Sequence, residues 1–276
     1  MNRGIELSLR TVNIRKRDWS WSSNMVFSYN YNKLVSYAAL NPSLNTASYK
    51  LTAPYWIGYN SKPLFAYQFA GLDNMGDPQI RLSDKSVTKQ PYIAQPEDVV
   101  YAGTTQSPVN GGFTNRFEYK GLSLTMNMIY NMGAVMRRNV NIYYTGRMPT
   151  STSLGGENLF SSFQDRWKQP GDERITNIPS YVSNMGTSFT RRDVNYYISG
   201  DVNVLSASYI KIRDITLAYE LQSAALHFLK IQRLNIYAQT TNFLIWTAND
   251  ERIDPETGFP GALYKHQYNL GINVTL

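Results

Sequence analysis

The chain has 276 residues, with 17% charged and 13% aromatic residues and a formal net charge of +7. A soluble domain carries about 25% charged residues; here Tyr, Asn, Ser and Thr fill the deficit, which suits antiparallel strands with one wet and one greasy face. Cys is absent, which excludes disulfide and thiolate chemistry, and no apolar run reaches the roughly 18 residues of a transmembrane helix.

Taken in chain order, the first segment has no apolar leader: Met1 to Leu7 already reads as a strand rather than a signal peptide. The sequence is therefore expected to be a fragment of a longer exported protein rather than a cytosolic one. Ile5, Leu7 and Leu9 alternate with Glu6, Ser8 and Arg10. A basic turn at Arg15 to Asp18 follows. Trp19, Trp21, Met25, Phe27, Tyr29 and Tyr31 then occupy odd positions. Residues 33–109 are rich in Asn, Ser, Thr, Pro, Gly and Tyr and predict a long loop, with 62–72 as one possible further strand.

Phe113, Phe117 and Tyr119 alternate with Thr114, Arg116, Glu118 and Lys120. Beyond Lys120-Gly121 the alternation resumes at Leu122, Leu124, Met126, Met128, Tyr130 and Met132. The two runs predict a hairpin with a tight turn at Lys120-Gly121. Residues 137–205 predict a second long loop. Ile210 and Ile212 hold one phase, while Ile215, Leu217, Tyr219 and Leu221 hold the other, so a bulge is expected near Arg213-Asp214. Gln222 to Lys230 reads as an elaborated turn. Leu234, Ile236 and Ala238 begin a strand that ends near Trp246. The last segment is the most regular: Tyr268, Leu270, Ile272, Val274 and Leu276 alternate with Asn269, Gly271, Asn273 and Thr275.

These runs give about seven strands, near 3–14, 19–32, 110–120, 122–136, 206–221, 231–245 and 265–276. A compact soluble domain seldom holds structureless loops beyond about 15 residues, whereas transmembrane barrels alternate short turns with long loops. The fold expected is all-β: part of an antiparallel transmembrane β-barrel with long extracellular loops. The mean hydropathy of −0.38 does not oppose this, because lipid-facing and lumen-facing residues cancel.

The positive charge is scattered, with doublets at Arg137-Arg138 and Arg191-Arg192 and a cluster at Arg15-Lys16-Arg17. Scattered charge reads as solvated loop charge, with anionic lipid head groups or an acidic ligand as the alternative, and not as a nucleic-acid face.

Several stretches resemble SusC/RagA-type TonB-linked outer-membrane proteins. Ser206-Ala-Ser-Tyr-Ile-Lys-Ile-Arg-Asp-Ile-Thr-Leu-Ala-Tyr219 is similar to a C-terminal strand of that family. Arg233-Leu234-Asn235-Ile236-Tyr237 through Gln239 to Leu244 is similar to the strand after it, and Asp254-Pro255-Glu256 to its loop motif. Asp165-Arg166-Trp167 with Gln169-Pro170-Gly171-Asp172, Gly112-Phe113-Thr114-Asn115 with Tyr119-Lys120-Gly121, and Asn2 to Leu7 match further motifs in the family's order. The departure is Leu276, where the family usually ends on an aromatic residue.

The resemblance implies that residues 1–276 are the C-terminal part of a TonB-dependent receptor barrel, with signal peptide and plug domain outside the sequence. It implies active import of large nutrients, glycan oligomers or peptides, across the outer membrane of a Gram-negative bacterium, typically of the Bacteroidota. The implied partners are a SusD-like lipoprotein, the TonB complex through the missing plug, and outer-membrane lipid. A small self-contained porin and a soluble carbohydrate-binding β-sandwich are the alternatives.

Trp19, Trp21, Trp246 and strand-end tyrosines suit an interfacial girdle. Trp56, Tyr143, Tyr144, Trp167, Tyr196 and Tyr197 fall in the long segments and are candidates for ligand stacking, with loop folding or contact with the lipoprotein partner as the favoured reading. Tyr268, Leu270, Ile272, Val274 and Leu276 form the candidate membrane-insertion strand. No paired acid and base, nucleophile elbow, P-loop or dinucleotide fingerprint is present, so no enzyme, catalytic residue or cofactor is expected. No metal is expected either. The acidic loop Asp250, Glu251, Asp254 and Glu256 offers oxygen ligands for Ca²⁺ but lacks EF-hand spacing, and His227 and His266 stand apart.

Overall fold

The computed structural model describes residues 1–36, 45–53, 55–146, 161–221, 231–258 and 265–275. In chain order, β1 (Asn2–Arg15) and β2 (Trp19–Asn32) lead to the short helix α1 (Ala47–Thr52). β3 (Pro63–Leu72), β4 (Pro78–Arg81), β5 (Val87–Thr88) and β6 (Val99–Thr104) follow. Next come β7 (Val109–Tyr119), β8 (Leu122–Met132) and β9 (Val135–Arg137), then the single turns α2 (Thr187–Thr190) and α3 (Asn195–Ile198). β10 (Val204–Ser206), β11 (Tyr209–Leu221), β12 (Arg233–Thr247) and β13 (Gln267–Thr275) complete the chain. Two compact units form. One comprises Met1, Lys33–Thr105 and Val135–Leu205, and the other Asn2–Asn32, Gln106–Ala134 and Ser206–Leu276.

The second unit is a seven-stranded sheet in the order β1-β2-β7-β8-β11-β12-β13. Every neighbouring pair is antiparallel. All seven strands lie where the alternation predicts them. Lys120 and Gly121 both take positive φ, 46° and 85°, the mirror-image turn whose twist matches that of the flanking strands. The register of β11 against β8 shifts between Ile212 and Asp214, so the expected bulge sits at Arg213 and reconciles the two apolar phases. Gln222–Lys230 and Leu276 lie outside the described residues.

Because side chains alternate, register alone gives the sheet two faces. On one face, Ile14, Trp21, Phe117, Leu124, Leu217, Ala238 and Leu270 stand abreast across all seven strands. The next row is Trp19, Tyr119, Leu122, Tyr219, Ile236 and Ile272. The opposite face carries Arg10, Asn24, Thr114, Asn127, Asp214 and Thr241 in one row. Side-chain hydrogen bonds knit this face: Thr114 donates to Asn127 at 2.7 Å, and Asn127 donates to Asp214 at 2.9 Å. A polar inset interrupts the apolar face, where Asn115 accepts from Trp21 Nε1 at 3.0 Å and from Ser23 at 2.8 Å.

The connections of this sheet alternate in length. Turns of a few residues join β1 to β2 and β7 to β8, both at the sheet end where β13 finishes. The connections after β2, β8 and β12 all leave from the opposite end.

The first unit corrects the expectation that 33–109 and 137–205 are structureless loops. Their described residues contribute to a four-stranded sheet in the order β5-β4-β3-β6, a two-stranded ribbon of β9 and β10, and short helical turns. The possible strand at 62–72 exists as β3, but it belongs to this small sheet and adds nothing to the seven. Phe65, Tyr67, Ile80, Val99 and Tyr196 form one apolar core, and Tyr144, Phe163 and Tyr197 a second.

Buried charge holds the first unit together. Arg192 is fully buried, with its guanidinium donating to Tyr144 O at 2.5 Å, Ser180 O at 3.0 Å and Thr145 Oγ1 at 3.0 Å. Asp77, also fully buried, meets Arg191 at 2.8 Å and Lys89 at 3.0 Å. Arg137 reaches Phe65 O at 2.6 Å, and Arg138 reaches Asn203 at 2.7 Å. The reading of both arginine doublets as solvated is therefore corrected: each ties segments distant in sequence. Arg15, Lys16 and Arg17 are exposed, as the sequence suggests.

Candidate functional site: a cleft in the small unit and the faces of the sheet

The six candidate loop aromatics divide by burial. Tyr144, Tyr196 and Tyr197 are almost wholly buried, at 1% exposure each, so they are core residues. Tyr144 packs edge-on to Tyr197 with centroids 5.8 Å apart, and Tyr196 edge-on to Tyr67 at 5.0 Å. Burial pushes the Tyr144 and Tyr197 phenols up. Trp56, Tyr143 and Trp167 are half-buried. Trp56 packs edge-on to Phe65 at 6.1 Å. Trp167 donates its indole N–H to Glu173 at 3.0 Å, and its ring covers Gly76, where a Cβ would sit 2.7 Å from Ser180 Cβ. The structure does not gather the six into one platform, because the two cores claim three of them.

A cleft of about 480 Å³ opens in this unit, within the roughly 300–1,000 Å³ range of ligand pockets. The α1 helix supplies one wall through Ala47, Ser48 and Leu51. Residues 92–95 and 193–199 supply the others. The α1 helix starts at Thr46, whose Oγ1 accepts from Tyr49 N at 3.1 Å, a conventional N-cap. Lys50 anchors the helix from below by donating to Pro96 O at 2.7 Å and Val99 O at 2.9 Å. Tyr196 stands at the floor, its hydroxyl donating to Gln90 O at 2.7 Å. Tyr67 stands beside it. Its phenol is pushed up to about 12, by burial first and then by the charges of Asp193 and Asp98. Asp193 lines the cleft and accepts from Asn195 N at 2.9 Å. Burial holds its carboxyl above the ordinary value.

Of these residues, sequence reading singled out Tyr196 alone. Phe65, Tyr67 and Phe69 alternate in β3, and that signal was available. Asp193 gave none, because its role depends on neighbours more than 90 residues away.

In the sheet, the candidate insertion strand carries Tyr268, Leu270, Ile272 and Val274 on one face. Leu270 is 86% exposed and Ile272 64%, so this apolar row has no covering layer within the sheet unit. The girdle candidates Trp19 and Trp21 pack on Phe117 near the short-turn end, and Trp246 lies toward the other end. His266 stacks on Phe243 at 4.4 Å, while His227 lies outside the described residues.

The acidic loop after β12 folds onto β11. Lys211 meets Asp254 at 2.8 Å and Glu256 at 2.6 Å, and Arg213 also meets Glu256 at 2.6 Å. Tyr209 donates to Glu256 at 2.9 Å and accepts from Asn131 at 2.7 Å. Asp254 and Glu256 thus serve two cations of the strand.

No family model matches the chain. Two curated proteins of Formosa agariphila are similar to it. TonB-dependent receptor P39 is 25% identical over 306 residues, covering 94% of this chain. TonB-dependent receptor P26 is 26% identical over 308 residues, covering 99%. Among solved structures, the RagAB peptide importer in its open-open state superposes with a TM-score of 0.68 at 21% identity over 100% of the chain. The RagAB peptide transporter superposes at 0.67 and 21% over 99%. The chain spans 28–29% of the length of each of these relatives. The fold is that of part of a transporter-type antiparallel β-barrel, and the resemblance to SusC/RagA-type TonB-linked proteins holds in both sequence and structure.

Proposed function

We propose that this chain is the C-terminal part of a SusC-like TonB-dependent barrel in the outer membrane of a Gram-negative bacterium. The whole transporter imports peptides or glycan oligomers. A SusD-like lipoprotein captures ligand outside, and TonB supplies force through a plug encoded ahead of this segment. The apolar face of the sheet meets lipid and the polar face lines the lumen.

The observation that carries this reading is the sheet's combination of an uncovered apolar face with two open edges. Among the described residues β1 pairs only with β2, and β13 only with β12. In hydrocarbon an unpaired strand edge costs several kcal/mol per orphaned group, so only a closed barrel crosses. On this reading further strands flank both edges. Relatives named as receptors and a neighbour named as a peptide importer agree with this assignment.

The test joins two measurements. The reading frame upstream of the Met1 codon should continue into further strands, a plug and a TonB-contacting segment. The 276-residue chain alone should form no channel in a planar bilayer. Stable single-channel conductance from the chain alone would replace this reading with a small porin. Solubility without detergent would replace it with a soluble β-sandwich.

A further inference from the structure

The cleft in the small unit is electrostatically one-sided. Asp193 lines it, and among the described residues no Lys, Arg or His pairs with its carboxylate; its hydrogen-bond partner is Asn195. A second carboxylate, Asp98, is buried nearby and accepts from Ser83 N and Gln95 N, both at 2.7 Å. Amides satisfy its lone pairs but do not cancel its charge. The cation on the α1 wall, Lys50, is turned away, with its ammonium held by two carbonyls and facing the rings of Trp56 and Phe65.

The other lining groups suit a cation with an alkyl stem. Tyr92 stands 75% exposed at the rim and offers its ring, while Tyr67 and Tyr196, 4% and 1% exposed, close the base of the cleft. Ala47, Leu51 and Ala94 add apolar surface. A carboxylate beside an exposed aromatic ring attracts ammonium and guanidinium groups twice over, by ion pairing and by the ring quadrupole. Long basic side chains also lay their methylenes along apolar surface. A neutral sugar hydroxyl can donate to Asp193 but leaves its charge uncompensated.

We propose that this cleft binds the basic side chain of a peptide, lysine or arginine, with Asp193 as its counter-ion and the exposed ring of Tyr92 at its rim. The proposal rests on the importer reading above and narrows its ligand to cationic peptides.

The test uses the protein purified from its native membrane in its natural reading frame. The probes are terminally blocked five-residue peptides that carry lysine, Nε-acetyl-lysine or norleucine at the centre. Binding of the lysine peptide should exceed that of the other two by about tenfold, and Asp193→Asn should abolish the preference. Asp250→Asn, at an exposed loop of the other unit, should leave it intact. Equal binding of the three peptides, an unchanged preference in Asp193→Asn, or no binding of any peptide would overturn the proposal. So would displacement of the lysine peptide by an amino-sugar oligomer at lower concentration, which would assign the cleft to glycans. None of these results bears on the reading frame or the conductance, so the importer reading stands or falls separately.

Discussion

Lys211 of β11 and Asp254 of the connection after β12 form an ion pair of 2.8 Å with side-chain exposures of 1% and 2%. The pair lies 43 residues apart in sequence and fastens the loop to its strand. Removing one partner leaves a buried charge uncompensated, which costs about 3–5 kcal/mol. Lys211→Met should therefore loosen residues 249–257 far more than the double change Lys211→Met with Asp254→Leu. Hydrogen exchange of the loop amides checks this, and equal protection in the single and double variants would refute it.

The same loop should open in acid. Burial tends to raise the Glu256 carboxyl, but hydrogen bonds from Lys211 and Tyr209 outweigh it and hold the group below its ordinary value of 4.5. A depressed folded value means the stabilisation is complete above the unfolded value and lost as pH falls through the folded one. Loop protection should be flat from pH 7 to about 5 and decline below 4.5. Glu256→Gln should remove that decline.

The facing of β13 predicts opposite effects at adjacent residues. Ile272 lies in the uncovered apolar row beside Ile236, while Asn273 pairs with Asn235 on the polar face. Arginine on a lipid face costs about 2–4 kcal/mol at the bilayer midplane. Ile272→Arg should block assembly in an outer-membrane insertion assay, and Asn273→Arg should be tolerated. Equal effects would reverse or erase the assigned faces.

Gly271 pairs with Tyr237, whose ring occupies the space a Cβ would need. Overpacking of this kind costs about 1–3 kcal/mol. Gly271→Val should lower the unfolding temperature of the assembled protein. The second change Tyr237→Ala should recover part of the loss, measured by resistance to heating in detergent.

Arg192 is the hub of the small unit, and its planar donor fork meets acceptors from three segments, at Asp77, Tyr144–Thr145 and Ser180. A lysine is a point donor and does not replace that geometry. Arg192→Lys should expose residues around 144 and 180 to proteolysis while leaving the seven-stranded sheet intact. An unchanged cleavage pattern would show that the apolar cores hold the unit without it.

Much of this protein is determined by local pattern. A period of two, read along each strand, fixes which residues share a face, and that alone placed the seven strands, the Lys120-Gly121 turn and the bulge at Arg213. The last strand was legible from Tyr268 to Val274 because alternation is a property of neighbours in sequence. The small unit was not legible, because its elements are short and its polar composition mimics loop. Its folding depends on Arg192, Asp77 and Arg137 meeting partners far along the chain, and no local pattern encodes such pairs. For the same reason the sequence leaves Tyr144 and Tyr197 between ligand stacking, loop folding and partner contact, and only the structure places them in a core. Asp193 carried no signal, because what singles out that carboxylate is the lack of a cation beside it among the described residues, and only the tertiary structure decides which charges meet.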